Sequence, residues 1–313
     1  MKSIIFGFQG GTEVDLSVKM GPLNFSNPII AASGTFGYGL EFVPFVDLDR
    51  LGGFCTKGLS LKPKVGNPVP RMIETPAGML NAIGLENIGL ENFLKEKLPL
   101  LENYSTRLIV NFFGDTVSEY AEMASALSDV ERIDALEMNI SCPNVAEGGI
   151  QFSSDPATLG RVVNAVRRAT DKFLIVKLSP NVTDITELAR SAEVAGADAL
   201  SLINTQVGMT IDTNSGKPWL ANVTGGLSGP AIRPIALALV YKTVRAVKIP
   251  VIGIGGISST GDALEFLMAG ARAVQIGTAN FVDPAVTMKV LDGLGEYCER
   301  NGLKTLADLP LAE

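Results

Sequence analysis

Residues 173–204, FLIVKLSPNVTDITELARSAEVAGADALSLIN, contain the repeating unit from which the fold can be inferred. The unit starts and ends with short apolar runs, FLIVK at Phe173–Lys177 and ALSLIN at Ala199–Asn204. Between them the sequence predicts a helix that begins at Thr183 and ends at Gly196, which is a suitable C-cap. An apolar strand, a helix and a second apolar strand are typical of a parallel sheet covered by helices.

The same alternation of strand and helix recurs along the chain. A second helix is predicted over Ser259–Ala269, and it stops at Gly270. Eight strand–helix units in one chain of 313 residues predict an α/β fold with one (β/α)₈ TIM barrel as a single domain over residues 1–313. A doubly wound open sheet is the alternative, but it would usually need fewer strands. The eight candidate strands are Pro28–Ala32, Gly53–Lys57, Leu108–Phe112, Ala135–Asn139, Phe173–Lys177, Ala199–Asn204, Pro250–Ile254 and Ala273–Ile276.

Two long segments interrupt this rhythm. They are Gly58–Glu86 after the second strand and Thr205–Gly229 after the sixth. Long ordered loops usually serve as lids or walls of a functional site. We therefore expect both insertions to border the site.

Composition excludes several classes of protein. The net charge of −7 argues against nucleic-acid binding, and no apolar run is long enough to predict a membrane span, so a cytoplasmic protein is expected. The chain has no histidine, which excludes Ser-His-Asp hydrolases and HExxH zinc enzymes. Three scattered cysteines, Cys55, Cys142 and Cys298, predict neither an iron–sulfur cluster nor a metal site within this chain.

Polar residues stand at the carboxyl ends of five candidate strands, where barrels of this kind place reactive groups. An amide presents a donor and an acceptor side by side, which suits the edge of a flat heterocycle, and a lysine supplies a positive charge. Solvated strand ends are polar in any barrel, but this set is unusual. The five residues are Lys57, Asn111, Asn139, Lys177 and Asn204.

Glycine-rich loops follow the seventh and eighth strands. GIGGI at Gly253–Ile257 and GTAN at Gly277–Asn280 occupy the positions where barrels commonly bind a phosphate, and Gly225–Gly229 could add a third wall. Simple turn chemistry is the alternative reading of any one glycine pair. Together the loops predict a phosphate site.

Cys142 lies in the loop directly after the fourth strand, between Asn139 and Asn144. For Cys55 and Cys298 we expect the ordinary role of a small buried side chain. Cys142 differs because it stands at the catalytic end of a strand, where a thiol has little packing to do. With no histidine in the chain, Cys142 is the candidate base.

These motifs resemble those of the dihydroorotate dehydrogenases, in the same order from about Asn27 to about Phe281. NISCPNV resembles the family's catalytic loop, MLNAIGLEN its substrate loop, and KLSPN its flavin lysine segment. INT resembles its substrate-contacting strand end. The motifs stand at Asn139–Val145, Met79–Asn87, Lys177–Asn181 and Ile203–Thr205, and the FMN-phosphate elements are matched by GGLSGPAI at Gly225–Ile232, GIGGI and IGTANF.

The resemblance implies a role for each residue. Cys142 would remove the C5 proton of dihydroorotate while the C6 hydride passes to FMN, and Lys177 would oppose the negative charge that develops on the reduced flavin. Substrate contacts are implied for Lys57, Asn81, Ala82, Ile83, Gly84, Leu85, Asn139, Asn204 and Thr205. FMN contacts are implied for Ser33, Lys57, Asn111, Asn139, Lys177, Ile203, Gly229, Gly255, Gly256, Gly277 and Thr278.

Within the family, a cysteine base marks the soluble class, whereas the membrane-bound class uses serine. NAIGL and NVAEGGI look more like the NAD-linked type B catalytic subunit than the fumarate-linked type A homodimer. The resemblance therefore implies a partner subunit that carries FAD and a [2Fe–2S] cluster, around a homodimeric core in a heterotetramer.

Two rival functions fit part of the sequence. A dihydropyrimidine dehydrogenase-like flavin barrel shares an S-C-P loop, but Asn144-Val145 and NAIGL favour dihydroorotate as the substrate. A non-enzymatic barrel that binds a phosphorylated ligand would explain the glycine loops and leave Cys142, Lys57 and Lys177 without a role.

Overall fold

Eight parallel strands close into a barrel in the part of the chain that the structure describes. The structure is a computed structural model, and it describes residues 14–140, 146–147, 150–151 and 155–312. Strands that follow one another in the chain pair in the barrel, and the last pairs with the first through Ile276 and Ala31. In chain order the strands are β1 (Ile29–Ala31), β2 (Gly53–Cys55), β3 (Arg107–Phe112), β4 (Ala135–Asn139), β5 (Phe173–Leu178), β6 (Ala199–Leu202), β7 (Val251–Ile254) and β8 (Ala273–Ile276). The predicted TIM barrel is confirmed, with each strand at its expected place.

Helices surround the barrel and cover its outer face. Among the described residues they are α1 (Leu90–Asn92), which continues through a π-helical turn (Phe93–Lys97) and a 3₁₀ turn (Leu98–Leu101), α2 (Val117–Ser128), α3 (Pro156–Ala169), α4 (Ile185–Val194), α5 (Arg233–Val244), α6 (Thr260–Met268), α7 (Ala279–Val282) and α8 (Val286–Arg300). None of these helices has the length and apolar character that a membrane crossing requires.

The predicted helix boundaries are close to those observed. Helix α4 begins at Ile185 rather than Thr183, because the Asp184 carboxylate accepts a hydrogen bond from the Thr186 amide and so caps the helix. Gly196 follows α4 and Gly270 follows α6, with φ of 106° and 102°. Only glycine adopts this conformation without strain, so both residues end their helices as predicted.

The lower end of the barrel is closed by a hairpin that precedes β1. Its strands, Val18–Met20 and Leu23–Phe25, pair in antiparallel fashion. Met20 and Phe25 are buried and pack with apolar side chains that point into the barrel, such as Ile109 and Ile175. The carboxyl ends of the strands are therefore the end at which the barrel can hold a ligand.

The two long insertions fold together. Four of their segments form one antiparallel sheet in the order Gln206–Gly208, Gly225–Ser228, Gly78–Asn81 and Met72–Thr75. The central pair joins the two insertions, with Gly226 opposite Asn81. A smaller hairpin, Ile211–Asp212 with Lys217–Pro218, extends the second insertion.

Asn27 connects the chain entering β1 to the chain entering β2. Its Oδ1 accepts hydrogen bonds from the amides of Ile29 at 3.1 Å and Gly52 at 3.2 Å, and its Nδ2 donates to the Arg50 carbonyl at 2.7 Å. The side chain is 4% exposed. Loss of the amide would leave these backbone groups buried without partners.

We therefore expect Asn27→Ala to lower the free energy of unfolding by about 2 to 4 kcal/mol, measured by urea denaturation. Asn24→Ala, at an exposed position of the same hairpin region, is the matched control and should change stability by less than about 0.5 kcal/mol. Equal stability of the two variants would show that Asn27 does not hold the strands together.

Candidate active site

A cavity of about 1360 Å³ opens at the carboxyl ends of the barrel strands. The barrel forms its floor, and the sheet of the two insertions forms one wall, which includes Met79, Val207 and Gly226. Both insertions therefore border the site, as predicted. The volume exceeds the roughly 300–1,000 Å³ that one small ligand usually occupies, so the cavity can hold two molecules side by side.

The structure brings the predicted site residues together around this one cavity, apart from Cys142, which lies outside the described residues. The residues that line it are Ser33, Lys57, Asn81, Ala82, Ile83, Gly84, Leu85, Asn111, Asn139, Lys177, Ile203, Asn204, Thr205, Gly229, Gly255, Gly256, Gly277 and Thr278. They are far apart in the sequence, and the barrel is what makes them neighbours.

Side chains alternate between the two faces of each strand, and this alternation explains the convergence. In β4, Leu136 and Met138 pack outward in the core beneath the helices, whereas Ala135 points into the barrel. Glu137 and Asn139 lie on the same side as Ala135, because alternate residues of a strand share a face. The last inward residue of the strand therefore faces the cavity.

A group of buried polar side chains, here called the polar layer, lies inside the barrel at the floor of the cavity. The Glu137 carboxylate is fully buried at its centre. It accepts hydrogen bonds from Asn111 Nδ2 at 2.7 Å, Ser201 Oγ at 2.9 Å and Gln275 Nε2 at 2.6 Å. Lys177 Nζ lies 3.6 Å from the same carboxylate. The polar layer consists of Asn111, Glu137, Lys177, Ser201 and Gln275, which come from five different strands.

The charge of Glu137 is maintained by these contacts. Burial by itself would raise the pKa of the carboxyl, but the Lys177 ammonium and the three hydrogen-bond donors outweigh it and hold the pKa below its usual range. The carboxylate is therefore ionised at neutral pH and balances the charge of Lys177.

The Asn111 amide has a fixed orientation. Because its Nδ2 donates to Glu137, its Oδ1 is turned away from the carboxylate, and this oxygen is buried with no hydrogen-bond partner among the described residues. A buried carbonyl oxygen without a partner is costly. Asn111 lines the cavity, so an N–H group of a bound ligand can satisfy this acceptor.

In the first insertion, Asn67 lines the cavity and supports the segment Asn81–Leu85. Its side-chain Nδ2 donates to the Ala82 carbonyl at 3.0 Å, and its backbone N–H donates to the Ile83 carbonyl at 2.9 Å. Gly84 has a φ of 77°, and a Cβ there would lie 2.5 Å from the Asn67 side chain. The segment thus needs glycine at this position.

The glycine loops form a tight cradle at the ends of β7 and β8. Gly229, Gly255 and Gly256 have φ values of 92°, 132° and 72°, and a Cβ on Gly256 would lie 2.8 Å from the Gly229 carbonyl oxygen. The backbone therefore borders the cavity without side chains in between. Thr278 closes the cradle by donating from Oγ1 to Ser228 Oγ at 2.7 Å.

Amide side chains connect three strand ends. Asn204 Nδ2 donates to Asn139 Oδ1 at 3.3 Å, and Asn204 Oδ1 accepts from the Thr205 amide at 2.8 Å. Asn181 Nδ2 donates to the Thr205 carbonyl at 3.0 Å. These bonds fix how Asn139, Asn204 and Thr205 face the cavity.

Sequence reasoning missed three kinds of site residue. Glu137 and Gln275 stand inside apolar runs. Each lies two positions before a predicted site residue, Asn139 or Gly277, and residues two apart on a strand share a face, so this spacing was the available signal. Ser228 stands within the glycine loop Gly225–Gly229, where the glycines and not the serine carry the signal. Asn67 lies in an insertion without regular periodicity, so no pattern pointed to it.

The barrel is parallel and eight-stranded, with its cavity at the carboxyl ends, glycine loops after the last two strands and a buried lysine at the cavity. These features define the TIM-barrel class of enzymes. The dihydroorotate dehydrogenase family profile matches residues 15–298. The chain belongs to this family.

Two relatives share more than half of their residues with this chain. Proteins of Pelobacter propionicus and Trichlorobacter lovleyi, both named "Dihydroorotate dehydrogenase B (NAD(+)), catalytic subunit", are 57% and 58% identical to it, and each match covers 94% of this chain and 97% of the relative. The crystal structure of a DHODH from Eimeria tenella in complex with ferulenol superposes with a TM-score of 0.79 at 22% identity, over 95% of this chain and 88% of that one. That likeness shows the same fold.

Lys57 is a partly buried ammonium at the cavity wall. Burial lowers the pKa of this group from the ordinary value of lysine, Glu86 opposes the shift, and Arg71 adds to it. The positive charge of Lys57 is therefore lost at a lower pH than that of an exposed lysine.

We expect an NMR titration of isotopically labelled lysines to show two signals that titrate earlier than those of exposed lysines, because burial lowers the pKa of both Lys57 and Lys172. One of the two should disappear in Lys57→Arg. Glu86→Gln should move this titration to still lower pH, because it removes the opposing charge. A Lys57 signal that titrates together with the exposed lysines would contradict the burial argument.

Proposed function

We propose that this chain oxidises (S)-dihydroorotate to orotate in pyrimidine biosynthesis, with FMN as its cofactor and Cys142 as the base. The observation that carries this proposal is that the segment Asn81–Leu85, the strand-end amides and the glycine cradle all line one cavity in a member of this family. That cavity has room for a flavin and a small pyrimidine together.

The described residues fit FMN at two ends. The glycine cradle presents backbone where a phosphate would lie. Gly229 and Gly256 have no room for a side chain, because a Cβ would lie 2.7 Å from Gly78 Cα or 2.8 Å from the Gly229 carbonyl oxygen. At the other end, the unpartnered Asn111 Oδ1 can accept a hydrogen bond from a ring N–H. When bound, FMN accepts the hydride. We propose that Ser33, Lys57, Asn111, Asn139, Lys177, Ile203, Gly229, Gly255, Gly256, Gly277 and Thr278 hold it.

Lys177 has a defined task in this proposal. Its ammonium lines the cavity and is buried, so its charge acts with little screening by water. A positive charge fixed before reaction stabilises negative charge that develops on a bound ring. Glu137 holds this ammonium in the floor of the cavity.

The substrate would lie against the segment Asn81–Leu85 and the amides of Asn139 and Asn204, with Thr205 and Lys57 completing its contacts. Dihydroorotate carries a carboxylate and a ring with amide groups on its edge. Lys57 offers a positive charge for the carboxylate, and asparagines offer paired donors and acceptors for the ring. Cys142, from the loop after β4, would take the C5 proton.

We further propose that electrons leave through a separate subunit that carries FAD and a [2Fe–2S] cluster and reduces NAD⁺. The relatives named type B catalytic subunits support this assignment over the fumarate-linked homodimer. We expect a homodimeric core within a heterotetramer that acts in the cytoplasm.

The role of Cys142 is tested by Cys142→Ala. The purified variant should retain FMN, seen in its visible spectrum, and its flavin should be reduced by dihydroorotate at least ~100-fold more slowly than that of the wild type, because a positioned base is lost. Stopped-flow absorbance under anaerobic conditions measures the rate. Cys298→Ala, a buried cysteine of α8 away from the cavity, is the control and should react at the normal rate. A normal rate in Cys142→Ala would reassign the base.

The electron acceptor is tested with the flavin reduced by dihydroorotate under anaerobic conditions. NAD⁺ and fumarate are added in turn, and flavin absorbance reports reoxidation. We expect this chain alone to be reoxidised slowly by both, and rapidly by NAD⁺ once the FAD-containing subunit is supplied. Rapid reoxidation by fumarate without a partner would assign the chain to the fumarate-linked type.

A further inference from the structure

Glu137 is a buried charge for which the proposed reaction has no direct use. Its carboxylate does not line the cavity, and it lies beneath the residues that do. A buried ion pair is poor at stabilising a fold, because desolvation of both charges offsets their attraction. The barrel core above the hairpin could be filled by apolar side chains, as its lower part is. The position of this carboxylate therefore points to the cavity.

We propose that Glu137 is a positioning residue for the bound flavin: its carboxylate fixes the Asn111 amide and the Lys177 ammonium beneath the cavity, and its charge lowers the redox potential of the cofactor. This inference rests on the proposed function, because it requires FMN in the cavity.

Glu137 fixes the geometry of two groups at the floor of the cavity. Asn111 Nδ2 is 2.7 Å from the Glu137 carboxylate, so the amide cannot rotate without losing this bond. The same carboxylate lies 3.6 Å from Lys177 Nζ. Ser201 and Gln275 donate to its other oxygen, Oε2, and so hold the carboxylate itself in place. One side chain thus orients two groups that face the ligand.

Glu137 also changes the electrostatic field at the cavity. Reduction adds negative charge to a flavin, so a nearby positive charge raises its potential and a nearby negative charge lowers it. Glu137 and Lys177 are opposite charges in contact within the low-dielectric interior. Glu137 therefore cancels part of the field of Lys177, and the pair sets the potential together.

One other titratable side chain of the described residues faces Glu137 closely. Burial, and after it the charge of Glu137, raises the pKa of the Cys55 thiol well above its ordinary value. Cys55 is therefore a neutral thiol, and the net charge beneath the cavity depends on Glu137 and Lys177.

The test is a potentiometric titration of FMN in the holoenzyme at mildly acidic and at neutral pH, where Glu137 is ionised. Glu137→Gln preserves shape and removes the charge. We expect the ratio of reduced to oxidised flavin at a fixed ambient potential to rise at least tenfold at acidic and neutral pH, which corresponds to about 30 mV for a two-electron couple. Ser201→Ala is the matched control, because it removes one donor to the carboxylate and keeps the charge; its potential should stay near that of the wild type.

A second pair of variants tests the same charge when Glu137→Gln by itself does not fold. Lys177→Met should lower the potential, since Glu137 is then an uncompensated negative charge. The double variant Glu137→Gln/Lys177→Met removes both charges. At a fixed ambient potential, its ratio of reduced to oxidised flavin should be at least tenfold higher than that of Lys177→Met. Equal potentials of Lys177→Met and the double variant would overturn the proposal, as would a potential of Glu137→Gln equal to that of the wild type at every pH.

The proposed function and the role of Glu137 can be contradicted separately. A wild-type protein that binds no FMN would contradict the proposed function. A wild-type protein that binds FMN and is reduced by dihydroorotate, with variant potentials that do not change, would contradict only the role of Glu137.

Discussion

Closure of the barrel is the constraint on which the remaining structure depends. Eight paired strands leave no free edge, and the period of two then sends every second side chain into the interior. The lower part of that interior is filled by apolar residues such as Phe25 and Ile175. The upper inward positions are filled by Glu137, Lys177 and their partners, so the floor of the cavity is polar while the barrel interior beneath it is apolar. The same packing rule that stabilises the fold thus sets the chemistry of its open end.

The insertions add a second constraint at that end. Because the strand Gly78–Asn81 pairs with Gly225–Ser228, the segment that follows Asn81 is fixed relative to the glycine cradle that follows Ser228. Asn67 then holds Ala82 and Ile83 through backbone carbonyls. A wall built from paired strands keeps a more constant shape than two independent loops would. Under the proposed function this rigidity would matter, because a flavin and a pyrimidine ring would have to lie against each other at a fixed distance.

The sequence allowed the barrel to be predicted because the strands are apolar and two of the helices end at a recognisable signal, Gly196 and Gly270. The strand-end residues could be predicted for the same reason, since their place in a barrel follows from where a strand stops. Pairing between the two insertions could not be predicted, because Gly226 and Asn81 are brought together by tertiary structure and neither segment has a strong strand pattern. Glu137 was missed because a single charge in ALEMN reads as an interruption of a strand, and only closure of the barrel shows its partners from four other strands.

A buried carboxylate at this place has a physical consequence whatever ligand the cavity holds. Glu137 and Lys177 lie in contact beneath the ligand, so the field that reaches the ligand is that of the pair and is weaker than that of a lone ammonium. A ligand that gains negative charge is then stabilised less than it would be by Lys177 alone. This is the condition that a cofactor must meet if it is to accept electrons and then release them to another protein, because a reduced form that is held too tightly does not pass its electrons on.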